Sequence, residues 1–295
     1  MSEVAAAAAA AAASASAASA VGTADEYRAR VEPFYLPVGD EVALFTAAFR
    51  ERIPVLLKGP TGCGKTRFVE YMAWMLGNER GGGHGLPLIT IACHEDLSAT
   101  DLVGRHLLAA DGTEWQDGPL TRAVRTGGIC YLDEVVEARK DTIVVIHSLT
   151  DHRRLLPIAK RGELLHAHPD FFLVVSYNPG YQSTLKDLKH STRQRFLAID
   201  FTYPPQPLEQ RIIERESQAD AATAAALAQL GAEVRRLDQQ NLLEGPSTRL
   251  LVHAGRLVVQ GVAPRRACEV AVVQAMTDDA LLAGGVRQVV NAIFP

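Results

Sequence analysis

The densest chemistry in this sequence is the run Gly59-Pro60-Thr61-Gly62-Cys63-Gly64-Lys65-Thr66, a complete G-x-x-x-x-G-K-T pattern. It follows an apolar, strand-like stretch, Ile53-Pro54-Val55-Leu56-Leu57, and opens a helical pattern over residues 67–76, the context that the motif requires. Glycines in such a loop let successive backbone N–H groups turn inward around phosphate oxygens, and the following helix N-terminus adds positive potential. Lys65 has the reach and charge for the outer phosphates, and Thr66 offers a hydroxyl to Mg²⁺. The pattern predicts a nucleoside triphosphate site with Gly59, Pro60, Thr61, Gly62, Cys63, Gly64, Lys65 and Thr66 as its phosphate loop.

Binding a triphosphate is separate from cleaving it, and cleavage calls for a metal-holding carboxylate and a water-activating one on another buried strand. The apolar run Ile129-Cys130-Tyr131-Leu132 ends in Asp133-Glu134. A strand tip there predicts Asp133 on the Mg²⁺ shell with Thr66, and Glu134 beside the attacking water. A further run, Phe171-Phe172-Leu173-Val174-Val175-Ser176, leads through Tyr177 into Asn178-Pro179-Gly180. The Asn178 amide then stands at the same sheet edge, able to orient water or a γ-phosphate without adding charge, although Asn-Pro-Gly also serves as a strand-ending turn. The scattered cysteines (Cys63, Cys93, Cys130, Cys268) and histidines such as His84, His94, His147 and His152 lack the spacing of a zinc site. The cysteines read as reduced thiols of a cytoplasmic chain.

The elements that must position these groups are legible in outline. Over residues 27–203, short apolar runs alternate with helical patterns, as parallel strands joined by crossover helices do. With Leu88-Ile89-Thr90-Ile91-Ala92 and Phe196-Leu197-Ala198-Ile199-Asp200-Phe201 added to those above, the runs number five. After Pro204-Pro205-Gln206-Pro207, Ala, Leu, Gln, Arg and Glu recur at helical spacing. The predicted fold class is α/β, a parallel five-stranded sheet flanked by helices and followed by a small all-α domain. The predicted units are residues 25–204 and 205–295, divided at the double proline. Two hairpins interrupt the alternation: His106-Leu107-Leu108-Ala109-Ala110 turning at Asp111-Gly112 into Thr113-Glu114-Trp115, and Arg154-Leu155-Leu156-Pro157-Ile158 turning at Lys160-Arg161-Gly162 into Glu163-Leu164-Leu165. Either could carry partner contacts or be an incidental surface hairpin.

The 295 residues carry 30 Lys+Arg against 34 Asp+Glu, a net charge of −4, and 47% of them are hydrophobic. That is a globular composition with enough chain for two units and a sizeable core. It gives no support to nucleic-acid binding, which normally shows as a markedly basic surface. Residues 1–24 are almost all Ala and Ser, offer no bulky core residues, and lack the basic and Leu-rich regions of a secretory signal, so a disordered or fraying tail is expected. Elsewhere no stretch reaches 18 consecutive apolar residues, so no membrane insertion is expected.

In this order the phosphate loop, Asp133-Glu134 and Asn178 resemble the Walker A, Walker B and sensor 1 of an AAA+ ATPase. Gly118-Pro119-Leu120 before Gly127-Gly128-Ile129, together with Gln194-Arg195-Phe196, is similar to the MoxR branch. Tyr35-Leu36-Pro37-Val38-Gly39-Asp40-Glu41, Trp115-Gln116-Asp117-Gly118-Pro119-Leu120 and Tyr131-Leu132-Asp133-Glu134-Val135-Val136-Glu137-Ala138-Arg139 resemble its CbbQ/NirQ/NorQ group, over about residues 27–280. The resemblance implies a P-loop AAA+ core with a helical lid, and hydrolysis of ATP with Mg²⁺. It implies a homo-oligomer, commonly a hexameric ring, in which an arginine of one subunit completes the site of the next. Both Arg193 and Arg195 stand where those finger arginines lie. Arg249, in Gly245-Pro246-Ser247-Thr248-Arg249, matches the sensor 2 arginine that touches the γ-phosphate from the lid. The family implies chaperone-like remodelling of a client enzyme with a von Willebrand factor A domain partner (CbbO- or NorD-like). The CbbQ-like reading, a Rubisco activase, comes first, and NorQ/NirQ-like activation or maturation of nitric oxide reductase is the alternative. A P-loop kinase would need an acceptor pocket and no arginine in trans. A nucleotide-dependent binding switch without appreciable turnover would lack the Glu134 carboxylate, which is present.

Overall fold

The computed structural model describes residues 26–81, 83–109, 112–179, 188–238 and 245–295. The tail over residues 1–24, Asp111 of the first expected turn and Gly180 lie outside the described residues. The chain begins with helix α1 (Glu41–Glu51), strand β1 (Val55–Lys58), helix α2 (Lys65–Glu79) and strand β2 (Leu88–Ala92). Helix α3 (Ala99–Val103), the hairpin β3 (Gly104–Ala109) and β4 (Gly112–Asp117), helix α4 (Pro119–Thr126) and strand β5 (Gly128–Asp133) follow. Helix α5 (Lys140–His147), a second hairpin of β6 (Leu155–Ile158) and β7 (Glu163–His166), strand β8 (Phe171–Tyr177), helix α6 (His190–Arg193) and strand β9 (Leu197–Asp200) complete this part.

Five of these strands form one parallel sheet in the order β2-β5-β8-β1-β9. The inner strands β5 and β8 are buried along their whole length except for Asp133. That is why they read as unbroken apolar runs: helices cover both faces of the sheet, so neither face needs polar residues. Side chains still alternate between the faces. Cys130, Leu132, Leu173 and Val175 pack toward Leu102, Leu120 and Ile146 of α3, α4 and α5, whereas Ile129, Tyr131, Phe172 and Val174 pack toward Phe45, Phe49, Phe68 and Met72 of α1 and α2.

Helix α2 begins at Lys65, ahead of the expected residue 67, because Gly64 adopts φ 103° and turns the chain directly into the helix. The first hairpin differs by one position from its expected turn. Ala109 pairs with Gly112, so Gly112 is the first residue of the returning strand rather than part of the turn. In the second hairpin Ile158 pairs with Glu163 around the expected turn at Lys160-Arg161-Gly162, with Gly162 left-handed.

Beyond Pro205 the described residues are helical: α7 (Gln206–Ser217), α8 (Ala221–Asp238), α9 (Thr248–Val259), α10 (Pro264–Cys268), a π-turn (Glu269–Val273), α11 (Gln274–Met276) and α12 (Ala280–Ile293). Pro207 is accommodated because the first turn of a helix has unpaired N–H groups anyway. Ile213, Leu227, Leu230, Leu251, Val272 and Val290 form a core of their own. No helix among the described residues is long and apolar enough to cross a membrane.

The segment leading into α1 is folded back by one buried carboxylate. Glu41 accepts hydrogen bonds from the Tyr35 hydroxyl at 2.7 Å and from the backbone N–H groups of Val38 at 2.8 Å and Gly39 at 2.7 Å. Burial by itself would raise its pKa, but these donors outweigh burial and hold it below the ordinary value. Glu41→Gln keeps one carbonyl acceptor but presents an NH₂ to a ring of donors, and is expected to cost about 1.5–3 kcal/mol in urea unfolding at neutral pH. A depressed folded pKa means that the contribution is complete above about 4.5, the unperturbed value, and is lost as pH falls through the lower folded value. The stability gap between wild type and variant should therefore close on acidification. A gap that persists unchanged to about pH 2–3 would rule out this role.

Candidate functional site

The sheet order brings the sequence-predicted groups to one edge. Strand β1 lies beside β8, and β8 beside β5, so the loop leaving β1, Asn178 after β8 and Asp133-Glu134 at the end of β5 share the carboxyl edge of the sheet. Ligands of open α/β sheets bind in that position. In the phosphate loop, Gly62 holds φ 70°, and a Cβ added there would stand 2.5 Å from the Cβ of Ser247. Only glycine lets the loop take this conformation while the residues before α9 close over it. Lys65 is buried in the loop, its Nζ donating to the carbonyl oxygens of Gly59 at 2.7 Å and Pro60 at 2.8 Å.

Asp133 divides its two oxygens between two tasks. Oδ1 accepts from the Tyr131 hydroxyl at 2.6 Å and the Ser176 hydroxyl at 2.5 Å. Oδ2 faces the Thr66 hydroxyl at 3.4 Å. Thr66 and Asp133 thus present adjacent hard oxygen donors of the kind that Mg²⁺ takes, so the residues present fit that ion. Ser176 also accepts the backbone N–H of Glu134 at 3.1 Å, so a single hydroxyl ties both acidic residues to β8.

Glu134 sits at φ 56°, the left-handed region that side-chain-bearing residues avoid. Holding it there costs about 1–3 kcal/mol. The conformation breaks the strand sharply and leaves Glu134 lining the same cleft as Lys65. Burial raises its pKa, the neighbouring charges of Asp133 and Glu137 raise it further, and Lys65 and Arg249 oppose them. The same negative field reaches Cys93, whose thiol burial and then Asp133 and Glu134 push up to about 12.

The cleft encloses about 560 Å³, within the range of small-ligand sites. The phosphate loop, Asp133, Glu134 and Arg249 line it, and Phe34, Leu36, Val38, Ile212 and Val252 make up its apolar part. Asn178 is not among the residues that line the cleft; its amide donates to the hydroxyl of Thr61, which does, at 3.3 Å. Arg193 and Arg195 are not brought into this cleft: Arg193 lies over the Tyr177 ring at 5.5 Å, and Arg195 donates to the His147 carbonyl at 3.4 Å. Sequence reasoning assigned no role to Tyr131, Ser176 or the apolar wall. Tyr131 shares a strand face with Asp133 through the two-residue period, so that signal was available. Ser176 becomes a partner only once β8 is known to lie beside β5.

Residues 54–196 match the AAA domain (dynein-related subfamily), and residues 209–293 match the CbbQ/NirQ/NorQ C-terminal family. The chain is 57% identical to protein CbbQ of Hydrogenophilus thermoluteolus over 270 residues, covering 92% of this chain and 98% of that protein. It is 56% identical to the denitrification regulatory protein NirQ of Stutzerimonas stutzeri over 262 residues, covering 89% of this chain and 92% of the relative. It is also 56% identical to protein NorQ of Paracoccus denitrificans (strain Pd 1222) over 262 residues, 89% of this chain and 94% of NorQ. The three relatives are equally similar, so the likeness separates none of them as the counterpart of this chain. A phosphate loop faced by acidic residues across one sheet edge, in a chain that shares most of its length with all three, places this protein in the CbbQ/NirQ/NorQ family of AAA+ ATPases.

Proposed function

We propose that this chain hydrolyses ATP to ADP and phosphate and uses the cycle to remodel a client enzyme. The observation that carries the reading is the placement of Glu134, turned sharply at the end of its strand and lining one cleft with Lys65, Thr66 and Asp133. In the proposed reaction the loop from Gly59 to Thr66 binds the phosphates, and Lys65 neutralises charge on the outer two. Thr66 and Asp133 Oδ2 would hold Mg²⁺, which supplies further neutralisation of the transferring phosphoryl group. Glu134 orients the attacking water and accepts its proton, Asn178 presents a neutral donor at the same edge, and Arg249 reaches the γ-phosphate from the lid. Residues 25–204 are taken as the ATPase unit and 205–295 as the lid.

Arg193 and Arg195 fit supply in trans, because both stand outside the cleft of their own chain. We take the working form as a ring, commonly hexameric, in the cytoplasm, with a von Willebrand factor A domain partner of CbbO or NorD type. Rubisco, in the manner of an activase, is the first client, and nitric oxide reductase is the alternative.

Glu134→Gln is expected to retain ATP and lose turnover by about 10²–10⁴-fold. Unchanged turnover would remove Glu134 from the mechanism and turn the reading toward a binding switch. Turnover of the full chain with its von Willebrand factor A partner, measured with inhibited Rubisco and with nitric oxide reductase in turn, identifies the client by which enzyme gains activity.

A further inference from the structure

The two helical and α/β parts meet at the phosphate loop through a network that the chemistry above does not use. Glu209, fully buried on α7, forms a two-pronged ion pair with Arg235 of α8, at 2.7 and 2.8 Å. Glu209 also accepts from the Thr248 hydroxyl at 2.6 Å, at the first turn of α9. Arg235 donates to the Pro246 carbonyl through Nε at 3.0 Å and Nη2 at 2.6 Å. The residues leading into Arg249 are therefore pinned from both sides by one buried pair. The guanidinium of Arg235 lies 3.9 Å from the centre of the Tyr203 ring. The Tyr203 hydroxyl stands 3.2 Å from the Thr61 carbonyl of the phosphate loop and 3.3 Å from the Gly245 carbonyl before α9. It carries one hydrogen to donate to the two oxygens, one in the phosphate loop and one before α9.

We propose that Tyr203 is a positioning residue that couples the phosphate loop to Arg249. Its ring is held by Arg235, which also holds the approach to α9, and its hydroxyl registers the peptide at Thr61. A shift of the loop on engaging a γ-phosphate is then transmitted to the segment Gly245-Pro246-Ser247 and on to Arg249, the residue that follows Glu209's contact at Thr248. Gly62, with no side chain between the loop and Ser247, keeps the two surfaces in contact. The inference rests on the reading of Arg249 as the lid residue that senses the γ-phosphate.

Substitution of Glu209 or Arg235 would strand a buried charge and unfold the lid, so the test uses Tyr203→Phe, which keeps the ring and its cation–π contact and removes only the hydroxyl. Affinities of the full chain for a non-hydrolysable ATP analogue and for ADP, each with Mg²⁺, are measured by calorimetry for wild type, Tyr203→Phe, Arg249→Ala and the double variant. Arg249→Ala is expected to lower the ratio of triphosphate to diphosphate affinity about tenfold when Tyr203 is present, and no more than about threefold when it is Phe. The Tyr203→Phe protein should still unfold in a single cooperative transition. A purely structural tyrosine would give additive effects of the two substitutions on the ratio, and that result overturns the proposal. If Arg249→Ala leaves the wild-type ratio unchanged, the sensor reading itself fails and the coupling falls with it, an outcome distinct from additivity.

Discussion

Asp133 spends one carboxylate oxygen on the protein and keeps the other for the site, and the geometry of the cleft follows from that division. Oδ1 is held by hydroxyls from β5 and β8, Tyr131 and Ser176, inside a sheet with helices on both faces. A hydrogen bond to a charged group in such surroundings is stronger than one in water, and two of them fix the rotation of the carboxylate. With Oδ1 fixed, Oδ2 has one direction left, toward Thr66 at the start of α2. Ser176 extends the same control to the backbone of Glu134, so the left-handed turn that aims the second carboxylate is anchored to the neighbouring strand.

Charge is the second constraint. Burial, and then the negative charge of Asp133, raise the pKa of Glu134 and of the thiol of Cys93; Glu137 adds to the first and Glu134 to the second. Lys65 and Arg249 counter the rise at Glu134, one from the α/β part and one from the helical part. Bringing the two parts together thus completes the electrostatic balance of the cleft. The buried Glu209–Arg235 pair makes this approach geometrically definite: desolvating both charges is costly, and the remaining hydrogen bonds to Pro246 and Thr248 are satisfied only when the chain before α9 runs where it does.

The sequence by itself determined whatever is written in short range. The phosphate loop could be read because its chemistry lies in consecutive residues, and the five strands could be read because buried parallel strands are contiguous apolar runs. Asp133-Glu134 was legible as a strand end, and the hairpins as paired runs around turn residues. Helix α2 began earlier than its apolar pattern suggested because a left-handed Gly64, and not side-chain periodicity, set its start. The register of the first hairpin moved by one because the cross-strand pairing of Ala109 with Gly112, rather than the Asp-Gly dipeptide, closed it. Only the tertiary structure decided that Ser176 serves Asp133, that Phe34 and Val252 line one cleft, that Arg235 stacks on Tyr203, and that Arg193 and Arg195 lie outside their own cleft. Each of these depends on strand order or on how two separate cores dock. Those are set by burial summed over many distant residues, and no local pattern in the chain encodes them.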